Sequence, residues 1–122
     1  MQFDPSAPIW LQLVDEFVRR IVTGRWPSGE KIPAVRELAV ELRVNPNTVQ
    51  KAYRLLEEEG LILSHTGAKS TVVADEAAQS RVRGELLQAE VRDTIAAMKH
   101  MGLSRQEALA LVDQLWKEGE TP

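Results

Sequence analysis

Two short amphipathic segments set almost end to end constrain this chain more than any other feature. The first runs from Pro33 to Leu42, with Val35, Leu38, Ala39 and Leu42 at i, i+3, i+4 and i+7. The second runs from Asn45 to Gly60, with Val49, Ala52, Tyr53 and Leu56 at the same spacing. Each pattern puts one apolar stripe on a helix. Asn45 is a helix-capping residue type, Pro46 suits the first helical position, and Gly60 suits the left-handed turn that ends a helix. Only Arg43 and Val44 lie between Leu42 and Asn45. Two helices joined so tightly make a helix-turn-helix. In that motif the second helix enters the major groove and the first crosses the phosphate backbone. The face of the second helix opposite its stripe carries Asn47, Gln50, Lys51 and Arg54, all able to hydrogen-bond a base edge or a phosphate. An ordinary surface helix has the same pattern, so the neighbouring segments have to decide.

They favour DNA. After Gly60, Leu61-Ile62-Leu63 is strand-like, His65 to Lys69 reads as a turn, and Ser70 to Ala74 is rich in β-branched residues. A hairpin directly after the second helix is the wing of a winged helix, and its expected tip carries Gly67 and Lys69. Ahead of the motif, residues 1–7 read as an extended lead-in. Helix 1 is then expected over about 8–23 on the stripe Ile9, Leu13, Phe17 and Ile21, widened by Val14 and Val18. Gln12, Asp15, Glu16, Arg19 and Arg20 are its solvated face. Residues 25–30 form a turn, with Trp26 as a core plug, and Glu30-Lys31-Ile32 is a short extended piece.

Beyond Asp75 the strand signal disappears. Glu76 to Met101 reads as a helix with Leu87, Val91, Ile95 and Met98 in a stripe, ended by Gly102. Ser104-Arg105-Gln106-Glu107 is a capping box, flanked by Leu103 and Ala108 as a hydrophobic staple. It opens a last helix running to about Lys117, with Ala108, Leu111, Val112 and Leu115 inward and Leu109 and Trp116 adding apolar area. This αα-hairpin holds more apolar surface than it can bury against itself. The surplus points to a self-complementary dimer interface made by Leu87, Val91, Ile95, Met98, Leu111, Leu115 and Trp116, the alternative being that the hairpin folds back on helix 1 of its own chain.

The chain has 122 residues, no cysteine and a net charge of −3. Its length suits one domain with an appendage, and disulfides and thiolate metal sites are excluded. No leader pattern opens it and no apolar run approaches a membrane span, so a cytoplasmic protein with no membrane partner is expected. Residues 1–75 hold nine Lys and Arg against ten Asp and Glu. DNA contact therefore needs a local positive face, built from Arg36, Arg43, Lys51 and Arg54 with Glu57, Glu58 and Glu59 turned elsewhere. His65 and His100 sit on different elements without metal-spaced partners. No phosphate loop or nucleophile–base pair can be assembled, so no enzyme and no cofactor are expected.

The blocks Pro8-Ile9-Trp10-Leu11-Gln12, Ile32 to Ala39, Val44 to Val49 and Ala52 to Ile62 resemble, in order and spacing, the GntR family of bacterial transcription regulators. The resemblance covers roughly 8–74. The helical tail of about 47 residues and the Asn-Pro-Asn-Thr run are similar to its small YtrA-type branch, in which two helices mainly build the dimer. The resemblance implies a DNA contact for Arg36 and places Asn45, Asn47, Thr48 and Gln50 at the start of the recognition helix. By geometry Asn47 and Gln50 suit adenine, and Thr48, Lys51 and Arg54 suit phosphates. Pro46 and Gln50 stand where many relatives have arginine. The wing departs from the usual Gly-x-Gly-Thr-Phe-Val, because Lys69 replaces the second glycine and Thr71 the phenylalanine. A side-chain phosphate contact at Lys69, or a one-residue insertion in the wing, follows.

The expected fold is mainly α with a small β-hairpin: a winged helix-turn-helix over 1–75, then a C-terminal αα-hairpin over 76–122 for dimerisation. The expected function is sequence-specific regulation of transcription, as a homodimeric repressor on an inverted-repeat operator in double-stranded DNA. Two alternatives stand beside it. One is an effector-responsive repressor with a small-molecule cavity at the dimer interface, lined by residues such as Met98, Leu111 and Trp116. The other is a winged-helix protein-interaction module.

Overall fold

The computed structural model describes residues 1–120. Its elements are α1 (Ile9–Val22), α2 (Val35–Leu42), α3 (Pro46–Glu58), β1 (Ile62–His65), β2 (Ala68–Val72), α4 (Glu76–His100) and α5 (Arg105–Glu120). They form two compact units, Met1–Glu85 and a second that begins at Leu86. Residues 121 and 122 of the expected two-helix region lie outside the described residues.

The first unit is a winged helix-turn-helix, and its core is built from the stripes, except that Ile9 of the helix 1 stripe is exposed. Leu13, Phe17 and Ile21 from α1, Leu38 from α2, and Val49 and Leu56 from α3 are all at most 1% exposed. Ile32, Leu61, Ile62 and Val72 close the core from the hairpin side. Each such side chain stabilises the fold by about 1.5–3 kcal/mol through burial. Phe17, Trp26 and Tyr53 form one aromatic cluster, with centroids 5.2 Å (Phe17–Trp26) and 5.6 Å (Phe17–Tyr53) apart. Trp26 is thus the core plug expected of it. Tyr53 donates its hydroxyl to the Pro33 carbonyl at 2.6 Å. Burial pushes that phenol well above its ordinary range, so it remains a donor.

Three local readings are corrected. Arg20 is buried, because its guanidinium lies 5.3 Å from the Trp26 ring and 5.9 Å from the Phe17 ring, with Glu16 3.9 Å away. A long cationic side chain covers apolar rings with its stem and its planar head together. Residues 1–7 are folded back and not extended: Gln12 accepts from the Asp4 amide and donates to the carbonyls of Asp4 and Ala7. Gln12 is therefore a structural tie. Finally, α2 begins at Val35, two residues after Pro33, because Ala34 keeps an extended backbone with ψ 152°.

The wing is an antiparallel pair in which Ile62 faces Val72, Leu63 faces Thr71 and His65 faces Ala68. The register slips by one residue, so Lys69 and Ser70 together oppose Ser64 in a bulge. Residues 29–32 run along the other edge of β2, with Ile32 donating to Ser70 and Val72 donating to Glu30. The wing is held from both sides.

The second unit contains most of α4 and all of α5. Gly102, at φ +85°, takes the left-handed turn that ends α4. The expected capping box is formed: Ser104 N–H donates to Glu107 and Glu107 N–H donates to Ser104 Oγ. Those bonds hold the Glu107 carboxyl below its usual range, the backbone donor first and the hydroxyl second. α5 has no buried residue, and the one buried residue of α4, Val82, belongs to the first unit.

Candidate nucleic-acid interface

Asn47, Gln50, Lys51 and Arg54 lie on one exposed face of α3, three and four residues apart, as the stripe behind them requires. The helix starts where the capping rules place it. Asn45 Oδ1 accepts from the Asn47 amide at 2.8 Å, and Pro46 follows as the first helical residue. The Asn45 oxygen is thus engaged as a cap, and its amide nitrogen is the group left to face a ligand. Thr48 is half-buried beside it. Lys51 extends across to α1, where its ammonium sits 4.3 Å from the centre of the Trp10 ring.

Arg36 lies in the exposed first turn of α2. The N-cap of this helix is Ala34, which offers no side-chain oxygen, so no side chain caps the first amides of α2. Helix amides left open beside a cation favour an anion. The next residue, Glu37, pairs with Lys69 of the wing at 3.6 Å. Lys69 is therefore in the β2 bulge and turned to α2, and is not at the wing tip where the sequence placed it. The extra residue of the bulge shifts the turn to Thr66-Gly67, with Gly67 in the left-handed region at φ +69°. His65, on β1, shares a hydrogen bond with Thr71 across the wing at 2.9 Å.

The acidic end of α3 has a structural use. Glu57 accepts from the amide and the hydroxyl of Ser64, at 3.1 and 3.0 Å, and so ties the recognition helix to the wing. Glu59 pairs with Arg81 at the start of α4. Two of the three glutamates are thereby directed away from the cationic face.

Two residues here have a structural use that sequence reasoning does not assign: Arg43, which it names only for the positive face, and Trp10. Arg43 ends α2 in the left-handed conformation at φ 58°, the one non-glycine among the described residues to do so. Its signal was legible, since a link this short needs a left-handed residue and no glycine is present. Trp10 had no such signal: its partner is 41 positions away, and only the packing of α1 on α3 joins them.

In the second unit, Leu87, Val91, Ile95, Leu111, Leu115 and Trp116 are 41–70% exposed, and Met98 is half-buried. Val91, Ile95 and Met98 line a groove of about 580 Å³ between α4 and α5, with Leu103, Leu109 and Val112 opposite. Leu111 and Trp116, expected to line a cavity at the dimer interface, are not among the residues that line this groove. No helix among the described residues is long and apolar enough to cross a membrane.

Comparison with known proteins agrees with this architecture. Residues 10–73 match the family described as bacterial regulatory proteins, gntR family. The HTH-type transcriptional regulator YhcF of Bacillus subtilis is 34% identical over 109 residues, covering 88% of this chain and 89% of the relative. The HTH-type transcriptional repressor YtrA of the same organism is 39% identical over 88 residues, covering 70% and 67%. A solved GntR family transcriptional regulator from Listeria monocytogenes superposes with a TM-score of 0.82 at 33% identity, covering 92% of this chain and 98% of that one. The chain belongs to the GntR family of DNA-binding transcription regulators, in its small YtrA-type branch.

Proposed function

We propose that this regulator is a cytoplasmic homodimeric repressor in which each winged helix, residues 1–75, reads one half of an inverted repeat and residues 76–122 hold the dimer. The observation that carries the reading is the exposed face of α3. Asn47 and Gln50 present carboxamides with no partner for their side chains among the described residues, flanked by Lys51 and Arg54. Amides specify bases and cations bind phosphates, so this face has both kinds of contact. Arg36, with the open amides of α2, grips the backbone beside it. Asn45 and Thr48 support the entry of α3, while Gly67 and Lys69 of the wing supply a further phosphate contact. Half-site centres then lie about one helical turn apart, roughly 34 Å.

The test is binding to duplexes selected from a random pool. Asn47→Ala should lose about 1–3 kcal/mol at one base pair, while Arg36→Ala weakens binding to all sequences alike. An unchanged base preference in Asn47→Ala refutes the assignment of base contacts to α3.

The groove between α4 and α5 supports a second reading, an apolar effector that alters operator affinity. Its volume is in the range of small-ligand sites. Titration with a fluorescent naphthalene sulfonate, with and without Ile95→Trp to fill the groove, checks it. Dye binding that survives the filling removes the groove as the site.

A further inference from the structure

Two lysines of the proposed DNA face are held in place, by opposite means. Lys69 pairs with Glu37 on the surface, so a phosphate has to displace a carboxylate to reach it. Lys51 is held by the Trp10 ring at 4.3 Å. A ring quadrupole attracts a cation but carries no net charge, so the ammonium is fixed while its full charge remains available. Lysine is otherwise a flexible side chain that loses much rotamer freedom when it docks. Trp10 is only half-buried and lies outside the core, in the first turn of α1. No acidic partner for Lys51 occurs among the described residues.

We propose that Trp10 is a positioning residue for DNA binding that acts through Lys51. Its indole face holds the ammonium beside the reading face of α3, on the same flank as Asn47 one turn earlier, so that the phosphate contact sets the register of the amides. This rests on the proposal that α3 makes the DNA contact. It extends the interface to α1, and it assigns to a tryptophan a role that aliphatic residues of similar size cannot fill.

Affinity of the full chain for a duplex selected from a random pool, measured over a range of salt, tests this. Lys51→Ala should weaken binding and flatten the dependence of log K on log salt by about one per protomer. Trp10→Leu should weaken it by about two- to fivefold per protomer and leave the slope nearly unchanged, because the cation is still present. The double variant should bind no more weakly than Lys51→Ala alone, and Trp10→Phe should recover most of the loss. Site-specific replacement of Trp10 by progressively fluorinated tryptophans keeps the shape and drains the ring of charge, so affinity should fall with each fluorine. A purely structural tryptophan does not show that series. Losses from Trp10→Leu and Lys51→Ala that multiply, or affinity flat across the fluorinated series, overturn the proposal. Should Lys51→Ala itself bind normally at every salt, the placement of the phosphate contact on α3 fails first, and this inference with it.

Discussion

The winged helix and the helical hairpin that follows it in the sequence are both built from amphipathic patterns, yet they solve burial in opposite ways. The winged unit turns its stripes on one another: Leu13, Phe17, Leu38, Val49 and Leu56 are all sealed inside one chain. In the hairpin, every residue of α5 keeps contact with solvent, and Leu115 and Trp116 remain 52% and 70% exposed. Most helical stability in proteins comes from the packing of an amphipathic face. A region with a complete core has a stability of its own. A region without one has a stability that depends on what covers it, here a second copy under the proposed function.

The sharpest way to break that contrast is to charge the uncovered face. If the proposed dimer uses this face, Leu111→Asp with Leu115→Asp should give a monomer by sedimentation and lower operator affinity by two to four orders of magnitude, since the second half-site is no longer tethered. Unfolding of the winged unit should be unaffected. A double variant that stays dimeric would show that this face is not the interface. Next in size is the opposite experiment. Phe17→Ala should cost the winged unit about 3–5 kcal/mol in urea unfolding, followed through the fluorescence of the adjacent Trp26. Because that core is complete within one chain, the loss should be independent of protein concentration.

The same contrast separates what could be read in the sequence from what could not. The elements of the winged unit are legible, because a stripe, a cap and a breaker are local signals: Asn45 and Pro46 start α3 and Gly60 ends it. The start of α5 in the second unit is legible in the same way, from Ser104 and Glu107. Contacts between long polar side chains are not legible. Arg20 reads as part of the surface face and is buried against Phe17, three residues earlier on α1, and Trp26 beyond the end of that helix. Gln12 ties down the first residues, and Glu57 holds the wing, through bonds whose partners no periodicity identifies. The displacement of Lys69 from the tip comes from a single bulge residue, and strand patterning does not resolve one residue. The proposed DNA face divides in the same way: Asn47 and Gln50 follow from the helix alone, and the contact of Trp10 with Lys51 only from the packing of α1 on α3.

Glu57 joins α3 to the wing, so removing it asks whether the two act as one body. Glu57→Ala leaves the Ser64 amide and hydroxyl without their acceptor and should cost about 1 kcal/mol. Amide exchange at β1 should rise while exchange in the core of α3 stays slow. Equal protection of Ser64 in the variant and the parent would mean that the edge contacts of residues 29–32 are enough to hold the wing.

The smallest expected effect tests the hairpin from the side of pH. Glu107 has a folded-state pKa held below its unfolded value by bonds from Ser104, so its contribution is fully present above the unfolded pKa and is lost as pH falls through the folded one. Asp4 in the winged unit is shifted in the same direction by Ser6, first through its hydroxyl and then through its amide, so acid weakens a local cap in each region. The consequences should differ. The lead-in around Asp4 is also fastened by Gln12, and α1 behind it is packed into a complete core. α5 starts at its capping box and has no buried residue to hold it when the box opens. Helicity should therefore drop first in α5 as pH falls into the carboxylate range, and Glu107→Gln, which keeps a cap without a titrating group, should remove that part of the pH dependence. Resonances of α5 and α1 followed by NMR through the same titration distinguish the two, and simultaneous loss would place both regions in one cooperative unit.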